Sequence, residues 1–296
     1  MYELNNLTIV VPAFNEAPAL KEFLPQLLAF CNERNCCLIL INDGSTDESR
    51  TLLSQFTQTE KIVFLHHKLN IGYGAAIKTG LAATNTEYVI TIDADGQHAL
   101  EDIDRLYSVI GSRDADMVVG SRRNSKTHSY YRGLGKFIIR NLARVLMTVP
   151  VHDLNSGMKI YRTELAKKYI YLAPDTMSFS DIFTLIFINN RNLVLEEPIR
   201  VRERKTGKST IGIETAFQTI MEIINIVILF SPMKIFLPLS LLCLLTTAAW
   251  AVPLLYVGRG LSIAGLLGII LGILLFLLGL IAEQLSLIRR NQHKSI

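Results

Sequence analysis

The 296-residue chain is sparing in several things: four cysteines, one tryptophan, and a charged fraction of 19%. Cys31, Cys36, Cys37 and Cys243 show no paired metal-ligand spacing and no histidines beside them, so they read as reduced, apolar filler in a cytosolic compartment. No internal repeat, low-complexity linker or Walker-type phosphate loop is present. No signal peptide precedes Leu7, where a strand is predicted to begin. Net charge is only +4, so the placement of charge matters more than its total, and no nucleic-acid partner is expected.

Charge is missing altogether from 235–258 and again from 260–282, with Arg259 alone between them. Runs of 23 and 24 residues make helices of roughly 35 Å, enough to cross a hydrocarbon core of about 30 Å. A buried hairpin in a soluble protein is the alternative, but two adjacent charge-free runs offer water no polar face. Lys234 precedes the first span, and Arg289, Arg290, His293 and Lys294 follow the second. The positive-inside rule then puts both outer flanks, both termini and the N-terminal domain in the cytoplasm of a multi-pass cell-membrane protein. The expected organisation is a soluble α/β domain over 1–210, a juxtamembrane helix lying in the membrane interface over 211–232, and two transmembrane helices within 233–296 (about 235–257 and 261–284) before a basic tail.

Within the first domain, β-rich runs at 8–12, 37–42, 62–66, 88–93 and 116–120 alternate with helical patterns at 16–33, 46–56, 74–83 and 100–110. That alternation predicts a mostly parallel sheet with helices on both faces. Further helices are expected at 133–147 and 179–189, with a strand at 193–202. Ligands of such sheets bind beyond the carboxyl ends of the strands. The polar residues gather there: Pro12-Ala13-Phe14-Asn15-Glu16 after the first run, Asn42-Asp43-Gly44-Ser45 after the second, Asp93-Ala94-Asp95 after the fourth.

Asp93 and Asp95, one residue apart on a turning backbone, suit a hard divalent cation shared with substrate phosphates, although Asp-x-Asp alone also describes a solvated acidic turn. Asn-Asp-Gly-Ser doubles as a tight turn with Ser45 or Thr46 capping the next helix. Gly72-Tyr73-Gly74 follows a strand and opens a helix, yet Ile77 stands where a dinucleotide fingerprint needs its third glycine.

Taken together, Val11-Pro12-Ala13-Phe14-Asn15-Glu16, Asn42 to Asp47, Asn70-Ile71-Gly72-Tyr73-Gly74-Ala75-Ala76 and Asp93-Ala94-Asp95 resemble glycosyltransferase family 2 in order and spacing, over about 7–210. The resemblance implies a GT-A (Rossmann-like) fold and an inverting glycosyltransferase. It places Pro12, Ala13, Asn15, Glu16, Asp43, Asn70, Gly72, Lys78, Asp93, Ala94 and Asp95 on the nucleotide-sugar, with Asp43 facing the base or ribose. Asp93 and Asp95 handle the diphosphate, and Asp95 and Gln97 hold Mg²⁺ or Mn²⁺, Gln97 matching a metal ligand of the dolichol-phosphate mannose synthase branch.

The second half speaks of the acceptor. Gly120-Ser121-Arg122-Arg123, then Arg132, then the basic stretch Arg202 to Ser209 suit a phosphate gripped by guanidinium groups, or else anionic headgroups in general. Here the likeness narrows to polyprenyl-phosphate glycosyltransferases, including undecaprenyl-phosphate glucosyltransferases. Arg204-Lys205-Thr206-Gly207-Lys208-Ser209-Thr210 is similar to their Arg-x-x-Gly-x-Ser-Lys loop, with Thr210 in place of the last lysine. Arg122, Arg132, Arg204 and Ser209 are then expected on the acceptor phosphate, and Arg122, Arg132, Arg204 and Lys205 join Asp93 and Asp95 as catalytic candidates. Asp153-Leu154-Asn155-Ser156-Gly157-Met158-Lys159 resembles the group's Asp-x-x-Ser-Gly stretch, Asp153 either orienting a sugar hydroxyl or bracing its loop. The expected partners are a nucleotide-sugar (a UDP-hexose ahead of GDP-mannose), polyprenyl phosphate, the bilayer and, in an assembly, other copies of the chain. The alternatives are a family 2 transferase acting on another lipid or a polysaccharide, and an inactive membrane scaffold. Processive synthases carry Gln-x-x-Arg-Trp, whereas the one tryptophan, Trp250, lies inside a span.

Overall fold

The computed structural model describes residues 3–122, 150–201, 228, 231–258 and 260–292. The chain divides into two compact units, Met1–Ile213 and Glu214–Ile296.

The first unit is built on a seven-stranded sheet of order β3-β2-β1-β4-β6-β5-β7. β1 (Leu7–Ala13), β2 (Cys37–Asn42), β3 (Ile62–His66) and β4 (Tyr88–Thr91) are parallel to one another. All seven residues of β1 are buried, as a strand covered on both faces requires, and this explains its unbroken apolar run. β6 (Lys159–Arg162) enters antiparallel between β4 and β5 (Met117–Ser121), and β7 (Val194–Pro198) closes the edge parallel to β5. The sheet is therefore mostly parallel, with β6 as an insertion that the alternation of runs did not announce. Four residues with a basic side chain at each end show no clear period.

Helices α1 (Ala17–Arg34), α2 (Ser49–Ser54), α3 (Tyr73–Ala83), α4 (Glu101–Ser112), α5 (Thr163–Tyr169) and α6 (Phe179–Asn189) cover the sheet. α1 starts with proline in its first turn and stops at Asn35, whose left-handed φ of 58° lets the Cys36 N–H reach the Cys31 carbonyl at 3.1 Å. α2 is shorter than its expected 46–56, because 45–47 are engaged in loop contacts with the β1 end. α3 packs flush on β1 and β2 through Gly80, where an added Cβ would lie 2.4 Å from Val10 Cγ1 and 2.8 Å from Ile41 Cδ1. Gly80→Ala should therefore lower stability by about 1–3 kcal/mol through overpacking. A thermal melt of the purified protein, falling about 2–4 °C per kcal/mol, checks it.

Topology locates the crevice. The chain leaves β1 for β2 and β3 on one side and returns to its other side with β4. Such a reversal opens a cleft outside the carboxyl ends of the two central strands. Residues 14–16 follow β1 and residues 92–98 follow β4.

The second unit contains α7 (Met233–Tyr256) and α8 (Ile263–Gln292), both long and apolar enough to cross a membrane, with most large apolar side chains exposed. Their seam is close: a Cβ at Gly268 would lie 2.2 Å from Thr247 Oγ1, and one at Gly272 2.5 Å from Leu244 Cδ2. Ser240 Oγ donates to the Gly272 carbonyl at 2.8 Å, and Glu283 accepts the Met233 N–H at 3.4 Å, meeting one orphan donor of the first turn of α7. The helix expected at 133–147 and nearly all of the interfacial helix at 211–232 lie outside the described residues.

Candidate active site

At the end of β4 the chain turns through Asp93, Ala94, Asp95, Gly96 and Gln97, with Gly96 at φ 69°. Asp95 Oδ1 accepts the Gln97 N–H at 3.0 Å, the side-chain-to-backbone bond that holds such a turn. The Asp93 side chain, about a third exposed (34%), accepts from Tyr73 Oη at 2.9 Å, and His98 Nε2 lies 3.4 Å from its other oxygen. Burial pushes this carboxyl up, but His98, Tyr73 and the charge of Arg122 outweigh it and hold the group below the ordinary carboxylate range. Burial, together with the Asp93 charge, keeps the Tyr73 hydroxyl protonated as a donor.

Arg122, just past the end of β5, forks onto Asp153, Nε to Oδ2 and Nη2 to Oδ1 at 2.8 Å each, and Nη2 also donates to the Asn155 carbonyl at 2.8 Å. The Arg122 N–H adds a bond to Asp153 Oδ2 at 3.0 Å. Hydrogen bonding to Asp153 raises Arg122 further, while Asp153 is held low by Arg122 against the upward push of burial. Asp153 therefore braces its loop and aims Arg122.

The loops after β1 and β2 are laced together. Asn15, at φ 54°, takes the Thr46 N–H on Oδ1 at 2.8 Å and that of Asp47 at 3.3 Å, while its own N–H donates to Ser45 Oγ at 3.0 Å. Asp47 accepts the first N–H groups of both α1 (Ala17, 3.0 Å) and α2 (Ser49, 2.9 Å). Pro12 and Ala13 are buried strand residues, Ala13 lending its carbonyl to Asp43 N at 2.9 Å. Asp43, itself buried, accepts from Ile71 N (3.1 Å), Gly72 N (2.9 Å) and His67 Nδ1 (2.7 Å), which fastens the 67–72 loop with exposed Asn70 at its tip. Lys78 is turned to Asp175, Nζ to Oδ1 at 2.7 Å. Arg132, Arg204, Lys205 and Ser209 lie outside the described residues.

Residues 8–170, over half of the chain, match the model of glycosyl transferase family 2. The chain belongs to glycosyl transferase family 2. Residues 231–288 match the GtrB C-terminal hairpin. Among curated relatives, an undecaprenyl-phosphate 4-deoxy-4-formamido-L-arabinose transferase of Edwardsiella ictaluri is 27% identical over 70% of this chain and 63% of its own length. A dodecaprenyl-phosphate galacturonate synthase of Rhizobium johnstonii is 25% identical over 74% of this chain and 66% of its own. The chain thus spans a little under two thirds of each of these relatives. An uncharacterized protein of Methanocaldococcus jannaschii is 27% identical over 74% of this chain and 91% of its own length. Among solved structures, glucosyl-3-phosphoglycerate synthase of Mycobacterium tuberculosis with Mn²⁺, uridine diphosphate and phosphoglyceric acid superposes with TM-score 0.56 at 18% identity, covering 74% of this chain and 78% of that one. Staphylococcus aureus TarS 1–349 with uridine diphosphate gives 0.51 at 18%, covering 76% and 65%. These likenesses are of fold, and the fold is GT-A.

In this family 2 site, several neighbours carry no signal that sequence reasoning assigned to them. Tyr73 stands inside a quoted motif and His98 three residues beyond another, yet only the fold turns both onto Asp93. His98 is 5% exposed, its Nδ1 is buried with no hydrogen-bond partner among the described residues, and its backbone bridges Val201. Gly157 lies so close that an added Cβ would sit 2.1 Å from Asp93 Oδ2.

The carboxyls of Asp93, Asp153 and Glu196 are all held low. A carboxyl lowered by folding stabilises above its unfolded pKa, and that stability is lost as pH falls through the folded value. Arg122→Met should thus shift acid unfolding to higher pH, because Asp153 loses the cation that keeps it ionised. Tryptophan-independent far-UV circular dichroism against pH reads the midpoint.

Proposed function

We propose that this family 2 protein moves a sugar from a nucleotide-sugar, a UDP-hexose by preference, onto polyprenyl phosphate with inversion at the anomeric carbon. The observation that carries the reading is the joining, in one chain, of a family 2 site to two membrane-length helices that match the GtrB hairpin. An acceptor that lives in the bilayer accounts for both halves. The relatives whose names record polyprenyl-phosphate chemistry support it. The basic flanks of the hairpin support a cytoplasmic donor side.

A phosphate monoester, with a second pKa near about 6, is mostly a dianion at neutral pH and needs no strong base to attack. What the site must supply is alignment and charge. Arg122, aimed by Asp153, serves the acceptor phosphate together with Arg132, Arg204, Lys205 and Ser209. Asp43 and Asn15 shape the donor side through the loops they lace.

Asp95 and Gln97 offer hard oxygen donors, the kind Mg²⁺ or Mn²⁺ takes in small number when substrate phosphates complete the shell. Asp95 and Gln97 would hold such a cation, which would supply neutralisation of the charge on the leaving diphosphate.

The test is radiolabelled sugar transfer from a panel of nucleotide-sugars to polyprenyl phosphate in nanodiscs, followed into organic-extractable lipid. Label in lipid with one donor, lost on chelation and restored by Mg²⁺ or Mn²⁺, is the expected result. Label that enters a polymer, or none with any donor, would replace the reading by a polysaccharide synthase or a scaffold.

A further inference from the structure

One cation of the site belongs to none of the roles above. Lys159 opens β6, where strand alternation sends its side chain to the α6 side of the sheet together with Tyr161. It is 0% exposed. Its Nζ donates to the Leu154 carbonyl at 2.6 Å and to the Ser180 carbonyl at 2.5 Å. The two acceptors are informative. Leu154 follows Asp153, the partner of Arg122, and Ser180 precedes Asp181 in the first turn of α6. The same 153–157 loop carries Ser156, whose carbonyl accepts from Ser180 Oγ at 3.2 Å, and Gly157, whose carbonyl accepts from Thr91 Oγ1 at 3.0 Å beneath Asp93.

We propose that Lys159 is a positioning residue of the transferase site, an internal strut that ties the 153–157 loop to the start of α6 and so fixes the Arg122–Asp153 fork and the floor under Asp93. The proposal rests on the reading of this crevice as the transfer site for its kinetic consequences, but not for its structural ones. Burying an amine beneath that turn is costly unless its hydrogens are met, and here two carbonyls from two different elements meet two of them. Asp181 on α6, Asp153 on the loop and Asp93 after β4 favour its charged form, while burial and Arg122 oppose it. Burial is the largest influence and brings the amine down to about 7. Either protonation state can donate both strut bonds, since a neutral amine keeps two hydrogens. The strut therefore holds on both sides of neutrality, at a side chain that is fully buried.

The experiment uses the full chain in nanodiscs and compares parent, Lys159→Met, Lys159→Arg, Asp153→Asn and the Lys159→Met/Asp153→Asn double variant. Rates are normalised to the fraction that binds donor, so loss of folded protein does not masquerade as loss of rate. Lys159→Met should lower kcat about 100-fold, the scale of a misplacement near 1 Å, with donor KM within about threefold of the parent. Because the strut acts through Asp153, the same substitution in the Asp153→Asn background should cost less than about threefold, a non-additive cycle. Hydrogen exchange, which needs no acceptor lipid, should speed up in 153–158 and stay unchanged in β1, β2 and β3. Additive losses, a parent-like kcat, or unchanged exchange in 153–158 would each overturn the proposal. If Lys159→Met does not fold, Lys159→Arg decides it: loop protection and kcat should be kept or lost together, and a parent-like kcat with an unprotected loop is the contrary outcome. A parent that transfers no sugar while Lys159→Met still loosens 153–158 would defeat the functional reading and leave the strut standing.

Discussion

Asp95→Ala should slow sugar transfer into lipid by about 10²–10³-fold, the range seen when one preorganised charge-stabilising group is removed. The residue sits on the turn after β4, where its Oδ1 accepts the Gln97 N–H. Losing that bond costs about 1 kcal/mol locally, and Gly96 keeps its positive φ, so the sheet stays intact. The rate defect should persist at saturating Mg²⁺ or Mn²⁺, because the alanine removes a donor oxygen that extra cation does not replace. Initial rates of radiolabel entering organic-extractable lipid, titrated with divalent ion, measure both points. A variant that matches the parent rate would remove the acidic turn from the chemistry.

Gly157→Ala is expected to be nearly as damaging, although it adds only a methyl group. Its Cβ would stand 2.1 Å from Asp93 Oδ2, 2.5 Å from Cγ and 2.6 Å from Oδ1. No contact of that length survives, so the carboxylate or the 157 backbone must move by about 1 Å, a displacement worth about 10²-fold in rate when it falls on a reacting centre. The backbone is held by Thr91 and by the start of β6, which leaves Asp93 as the group that yields. It would give up its bond to Tyr73 or its approach to His98. We expect kcat to collapse with a melting temperature close to that of the parent. A variant with parent-like kcat would show that the Asp93 position is not demanding.

Much of this architecture was legible in the residue order because both faces of the central sheet are buried. β2 and β3 fall on the runs expected at 37–42 and 62–66, and β1 exceeds its run by one residue at each end. β4 is shorter than its run, since Asp93 already belongs to the turn. The polar turns were legible for the same reason, standing where apolar runs stop. What was not legible depends on contacts far apart in sequence. Asp153 offered two roles, bracing a loop or orienting a sugar, and its fork with Arg122 is a contact that no local pattern announced. Asp43, expected to face the nucleoside, gives three of its acceptor sites to the 67–72 loop, and Lys78, expected on the donor, pairs with Asp175. Asp43 lies inside a motif and Lys78 two residues beyond one, and a one-dimensional pattern announces neither of these bonds. Lys159 was hidden most completely: a lysine in a four-residue strand looks like an edge, and here it is interior.

The amino pole of α3 attracts an acceptor, as every helix start does, and the two glycines around Tyr73 let something come very near it. What comes is the polypeptide itself. The Asp175 carbonyl takes the N–H groups of Gly74 at 2.9 Å and Ala75 at 3.3 Å, and side chains at 72 or 74 would collide with residues 174–175. The spot where a dinucleotide would rest its pyrophosphate is thus stoppered from within, and Lys78 pins the stopper. Restoring a glycine at Ile77 would not convert this enzyme into a nicotinamide binder, because the obstacle is a neighbouring strand of peptide and not a missing glycine. The acidic turn after β4, which we propose for the donor's phosphates, is a different place from this helix start, which the chain has kept for itself.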